Sequence, residues 1–139
     1  MEVIILSGGL GTRLNGVIKN IPKVMAPIND KPFLEYVLND LNEQKVNKVI
    51  LATGYKKEYI KDYFGNKYKN IIIEYSEEEQ PLGTGGAILK ALTKVTNNNV
   101  IIMNGDIYTK LNFTDLYKSH LNSGADVTLS LKMMENFER

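Results

Sequence analysis

At 139 residues the chain has the length of one domain and can bury a core without disulfides or metal staples. Hydrophobic residues make up 43% and charged residues 24% with a formal net charge of +1, a balance ordinary for a soluble globular protein that argues against a nucleic-acid or membrane surface. Cysteine is absent, which excludes disulfides and thiolate metal sites; no apolar run nears the roughly 20 residues that span a bilayer, and an N-terminus that reads as core strand in place of a signal makes the cytoplasm the default.

In chain order, Val3 to Leu6 reads as a short buried strand that runs into the glycine-rich turn Ser7-Gly8-Gly9-Leu10-Gly11-Thr12-Arg13. Pro32 to Gln44 reads as a helix, with Pro32 at an early helical position and Leu34, Val37, Leu38 and Leu41 on one stripe. A strand over Lys48 to Thr53 leads to a short helix over Lys57 to Phe64, ended near Gly65, and the series Tyr55, Tyr59, Tyr63 reads as its packing stripe. A strand over Ile71 to Tyr75 precedes a helix over Gly85 to Leu92 with Ile88, Leu89 and Leu92 inward. A strand over Val100 to Met103 is followed by a helix from about Phe113 to Ser123, with Thr114 as cap and Gly124 just past its end. Asp126 to Lys132 reads as a fifth strand, with Met133 and Met134 beyond it in core or at an edge. His120 is the only histidine, and a catalytic role for it is not expected.

Apolar runs alternating with amphipathic stretches predict an α/β fold, a Rossmann-like three-layer sandwich with a mainly parallel sheet covered on both faces. In such folds ligands collect beyond the carboxyl ends of the strands. Four segments obey that rule: the glycine turn, Thr53-Gly54-Tyr55, Glu77 to Gly86, and Asp106. The turn is laid out as a phosphate cradle, since glycines let backbone N–H groups approach an anion and Arg13 adds a fixed cation. It lacks the Gly-Lys-Ser/Thr of a Walker loop, and Leu14 stands where the dinucleotide fingerprint has its third glycine. Taken singly, a glycine turn, a surface Arg13 or Lys23, and an Asp106 that caps a turn are all ordinary features.

Together they resemble something specific. The Gly8-Gly9-Leu10-Gly11-Thr12-Arg13-Leu14 string, the Pro22-Lys23-Val24-Met25 block, the Pro81-Leu82-Gly83-Thr84-Gly85-Gly86 loop and Asn104-Gly105-Asp106 are similar, in order, to the four motifs of the sugar-phosphate nucleotidyltransferases. That family joins an NTP to a sugar 1-phosphate and releases pyrophosphate. The resemblance implies that residues 1–139 are the nucleotide-binding core of such a domain, in the N-terminal part of the nucleotide-diphospho-sugar transferase fold. It implies catalytic roles for Arg13 on the β- and γ-phosphates, for Lys23 on the α-phosphate and attacking phosphate, and for Asp106 as the ligand of Mg²⁺. Leu6, Gly8, Gly9, Gly11, Thr12, Gly83, Thr84 and Gly105 are implied to line the nucleotide.

For the base, a carboxylate only accepts hydrogen bonds and guanine offers two adjacent N–H donors, so Glu77 or Glu78 is expected to read guanine. A register placing Gln80 there favours a pyrimidine instead. The Glu79 to Ile88 phrase is most similar to the heptose 1-phosphate guanylyltransferase branch, which also leans to GTP. Ser7 stands where the family commonly has alanine, and Val24, where it commonly has proline, is expected to loosen the placement of Lys23. Family members continue past position 139 into sugar-binding loops and a second metal-binding aspartate, so the chain reads as C-terminally truncated. The expected partners are an NTP and a sugar 1-phosphate, with a homo-oligomer left open. Two alternatives stay open: a non-catalytic nucleotide-binding module, and a CTP-dependent cytidylyltransferase acting on a phosphorylated small molecule.

Overall fold

A computed structural model of the protein describes residues 1–9 and 21–133. The chain divides into two compact units, Met1–Tyr108 and Thr109–Arg139. No helix among the described residues is long and apolar enough to cross a membrane.

The first unit is built around strands that are apolar on both faces. Val3, Ile4 and Ile5 of β1 (Glu2–Leu6) are fully buried, as are Val49, Ile50 and Leu51 of β4 (Lys48–Thr53). Such strands suit the middle of a parallel sheet covered on both sides. They occupy it: β1 pairs in parallel with β4 and with β7 (Ile101–Asn104), and β4 pairs in parallel with β6 (Ile71–Glu77). A two-residue β5 (Lys67–Tyr68) closes the edge antiparallel to β6, so the order is β5-β6-β4-β1-β7. The register sets Leu6 beside Ala52 and Asn104, and Thr53 beside Glu77, which brings four carboxyl ends level along one margin of the sheet.

Ahead of β4, a 3-10 turn over Lys23–Met25 precedes a small hairpin of β2 (Pro27–Ile28) and β3 (Lys31–Pro32). Helix α1 (Phe33–Glu43) then buries Leu34, Val37, Leu38 and Leu41, the stripe expected of it. Pro32 stands just outside, as the residue that precedes the first helical turn.

Helix α2 (Lys57–Phe64) inverts the expected tyrosine stripe. Ile60 and Phe64, four residues apart, face the core, while Tyr55, Tyr59 and Tyr63 are 38%, 49% and 51% exposed. The tyrosines bind through their edges and faces: the Lys56 ammonium lies 5.5 Å and 5.6 Å from the centres of the Tyr55 and Tyr59 rings, and the Tyr63 hydroxyl donates to Glu35.

Helix α3 (Gly83–Leu92) also turns a different face inward. Ala87 and Ala91 pack on Ile4, Ile50 and Ala52, whereas Leu89 is 69% and Leu92 38% exposed and Ile88 is only partly buried. Small residues let the helix axis approach the sheet closely, a gain that a reading based on side-chain bulk misses.

The amino margin is held by a buried carboxylate. Glu2 accepts from the Thr96 and Asn97 backbone N–H groups at 2.9 Å each and from the Thr96 hydroxyl at 2.6 Å, with the Lys48 ammonium 3.5 Å away. Burial alone pushes a carboxyl pKa up, but these hydrogen bonds and the lysine outweigh it and hold Glu2 at about 2.

In the second unit, α4 (Phe113–Ser123) has the predicted bounds, followed by Gly124. Its cap is Asn112, whose Oδ1 accepts from Asp115 N at 3.1 Å, in place of the expected Thr114. The expected strand over Asp126 to Lys132 is absent among the described residues. A strand exists only through a ladder, and Val127, Leu129 and Leu131, at 72% to 85% exposed, meet no described partner strand.

Candidate active site

The level carboxyl ends open onto a cavity of about 640 Å³, within the range of small-molecule sites. Three of the loops that line it begin by extending a strand ladder by one residue. Beyond β1, both the backbone N–H and the hydroxyl of Ser7 donate to Ala52 O, at 2.9 Å and 2.8 Å. Beyond β7, Gly105 N donates to Leu6 O at 2.9 Å, and beyond β6, Glu78 N donates to Thr53 O at 2.7 Å. The loops therefore leave the sheet from fixed points.

Gly8 and Gly9 line the cavity where β1 ends. A Cβ at Gly8 would stand 3.4 Å from Glu78 Oε1 and from Gly54 N, an ordinary contact distance, so Gly8 lies directly against the carboxylate that enters from the loop after β6. Glu78 holds its place by accepting from Leu82 N at 2.9 Å through Oε2. Glu79 lines the cavity too, as do Tyr55 and Asn104; the sequence reading gave none of these three a ligand role. Tyr55 carried a signal, since it ends the Thr53-Gly54-Tyr55 segment placed at a strand end.

Glu77 is placed otherwise. Its side chain is gripped by Lys57 at 2.8 Å and Lys61 at 3.3 Å from α2, and it is not part of the cavity wall. Hydrogen bonding from Lys57, then from Lys61, holds its carboxyl below the usual range.

Lys23 reaches the cavity from the 3-10 turn. Val24 does not leave that turn loose: it is buried, and the turn is closed by Met25 N to Pro22 O at 2.9 Å and Ala26 N to Lys23 O at 3.1 Å. Opposite it stands Asp106, with Lys23 Nζ 2.5 Å from Asp106 Oδ2. Gly105 lies behind Asp106 rather than on the wall, and a Cβ there would come within 2.9 Å of Ile5 Cγ2 and 3.0 Å of Leu6 O. Only glycine lets the chain pass so close to β1 and present Asp106. Leu6, Gly83 and Thr84 line the cavity, while Gly11, Thr12 and Arg13 lie outside the described residues.

No group of three or more His, Asp or Glu among the described residues could hold a metal ion by itself. The donor chemistry nevertheless suits Mg²⁺, a hard cation usually held by one or two carboxylates with substrate phosphates and waters completing its shell. Asp106 offers such a carboxylate on the cavity wall.

The sequence matches the nucleotidyl transferase family over residues 2–138. The chain belongs to that family. It is 53% identical over 139 residues to the D-glycero-alpha-D-manno-heptose 1-phosphate guanylyltransferase of Aneurinibacillus thermoaerophilus and 50% identical to that of Campylobacter jejuni. All of this chain aligns, against 60% and 61% of those proteins, so it spans about three fifths of the length of the curated relatives it matches. Among solved structures, HddC from Yersinia pseudotuberculosis complexed with GMP-PN superposes with a TM-score of 0.79 at 40% identity, covering 87% of this chain and 54% of HddC. A UDP-glucose pyrophosphorylase from Acinetobacter baumannii shares the fold, with a TM-score of 0.77 at 24% identity over 89% of this chain and 53% of that one.

Proposed function

We propose that this chain is the nucleotide-holding part of a guanylyltransferase that transfers GMP from GTP to a sugar 1-phosphate of the heptose class. The observation that carries this reading is the meeting of the Gly8-Gly9 backbone, Lys23, Glu78 and Asp106 around one cavity. A sugar-phosphate oxygen attacks the α-phosphorus of GTP, a new O–P bond forms, and the bond to the β-phosphate oxygen breaks to release pyrophosphate. The protein supplies no nucleophile. Its task is to hold two polyanions together and to offset the charge that develops on the departing group.

The glycine backbone offers N–H donors to phosphate oxygens, and the Lys23 ammonium offsets charge on the α-phosphate and its attacker. Asp106 is the residue to hold Mg²⁺, which supplies further charge neutralisation on the phosphates when bound. Glu78 is the base reader: Glu77 is neutralised by Lys57 and Lys61, whereas Glu78 lies in the cavity with Oε1 directed past Gly8. A carboxylate there accepts from the guanine N–H edge, which no pyrimidine reproduces. The 50–53% identity to heptose 1-phosphate guanylyltransferases supports the choice of acceptor.

The test is pyrophosphate release with Mg²⁺, each of the four common NTPs and a panel of sugar 1-phosphates, run beside a nucleotide-binding titration. Release with GTP and a heptose 1-phosphate is the expected result; release with UTP or CTP alone would overturn the guanosine reading. Because the chain spans about three fifths of its relatives, a second reading is a nucleotide-binding module that holds GTP without turnover. Tight GTP binding with no release under any acceptor would select it.

A further inference from the structure

We infer that Lys23 decides when Asp106 can take a divalent cation: in the nucleotide-free protein the ammonium sits on the carboxylate, and a triphosphate opens Asp106 to metal by drawing Lys23 away. This rests on the nucleotide-binding reading above and deepens it. The two residues lie 83 apart in sequence, yet Lys23 Nζ is 2.5 Å from Asp106 Oδ2. An ammonium at that distance uses one carboxylate oxygen and cancels the charge that attracts a cation.

Neither backbone is free to separate the pair. Lys23 is rooted by the buried Val24 and Met25, and Asp106 by the close passage of Gly105 over Ile5 and Leu6. What can move is the lysine stem, four methylenes long, whose ammonium is a mobile point charge. The side chains are 39% and 34% exposed, so the contact is weak enough to exchange. Both line the cavity. A triphosphate offers the ammonium several anionic oxygens in place of one carboxylate, and once Lys23 has turned to them Asp106 is left as an unpaired anion beside additional negative charge. Cation binding is then favoured where before it was opposed. Linkage makes the effect reciprocal, so metal strengthens nucleotide binding by the same factor. Lys23 is thus a positioning residue for the metal as well as a phosphate contact.

The experiment titrates the nucleotide-free full chain with Mn²⁺ alone, reading free Mn²⁺ by its paramagnetic resonance signal. Lys23→Met is expected to tighten Mn²⁺ binding about threefold to tenfold, the range a partly exposed, charge-assisted pair can mask. Lys23→Arg restores the cation on Asp106 and returns the affinity to within about twofold of the parent. Lys57→Met removes an equal charge from α2 without touching Asp106 and leaves Mn²⁺ binding unchanged. The double variant K23M/D106N loses the gain, which assigns the metal to Asp106. Circular dichroism checks each fold, and Lys23→Gln carries the same measurement if Lys23→Met does not fold. Unchanged Mn²⁺ affinity in Lys23→Met, or a gain that survives in K23M/D106N, overturns the inference. No nucleotide is in the tube: a gain in a chain that binds no GTP overturns the guanosine reading alone, and GTP binding without the gain overturns this inference alone.

Discussion

A methyl group added at Gly105 would stand 2.9 Å from Ile5 Cγ2 and 3.0 Å from Leu6 O, atoms of the buried strand β1, so something there must shift. Gly105→Ala is therefore expected to cost about 1–3 kcal/mol by overpacking, read as a lower urea midpoint, and to displace Asp106 from Lys23. Glu78 makes a different kind of prediction. Glu78→Gln keeps size and the bond from Leu82 but replaces one acceptor with a donor facing guanine donors. The GTP over UTP binding preference is expected to fall about tenfold or more, the worth of a charge-assisted hydrogen bond; an unchanged ratio would remove Glu78 from base recognition. Both residues stand in segments that the sequence singled out, but their roles were not equally visible. Motif order marks Gly105 and Asp106, while nothing in the run Glu77-Glu78-Glu79 tells which carboxylates face the cavity. The lysines of α2 take Glu77 away from it and leave Glu78 and Glu79 on its wall, and their reach is a tertiary fact.

Helix α3 shows how an element aims a site. Its alanines set its distance from the sheet, and its first residues, Gly83 and Thr84, lie on the cavity wall. Ala91→Leu is expected to push the helix away, costing about 1–3 kcal/mol and weakening nucleotide binding although position 91 touches no ligand; isothermal titration of GTP checks it. Elements were legible in proportion to their length and burial. β1 and β4 announce themselves as apolar runs because they are buried on both faces, and α1 by its leucine and valine stripe. The hairpin of β2 and β3 and the edge strand β5 have two residues each, too few to show any period. Asp126 to Lys132 alternates as a strand does, but alternation supplies a pattern and not a partner.

For the molecule as a whole, the two margins of the sheet have opposite tasks. The carboxyl margin gathers the site, and the amino margin carries the buried Glu2 with its bonds to Thr96 and Asn97 and the Lys48 ammonium, which also pairs with Glu74 at 2.9 Å. Because the folded pKa of Glu2 is about 2, below its ordinary 4.5, its contribution is complete above about pH 4.5 and disappears as pH falls toward 2. That contribution is on the order of 3 kcal/mol at neutral pH. Stability measured by denaturant should fall across this window, and Glu2→Gln should be less stable at pH 7 and flatter below pH 5. The three backbone bonds that carry each ladder one step past its strand, from Ser7 to Ala52, from Gly105 to Leu6 and from Glu78 to Thr53, have a consequence for solvent exchange. Those amides look like loop positions in the sequence, yet their hydrogens belong to the sheet. In deuterium oxide they should be retained as long as those of β1 and β4, so that three slow signals mark the rim of an otherwise fast-exchanging mouth.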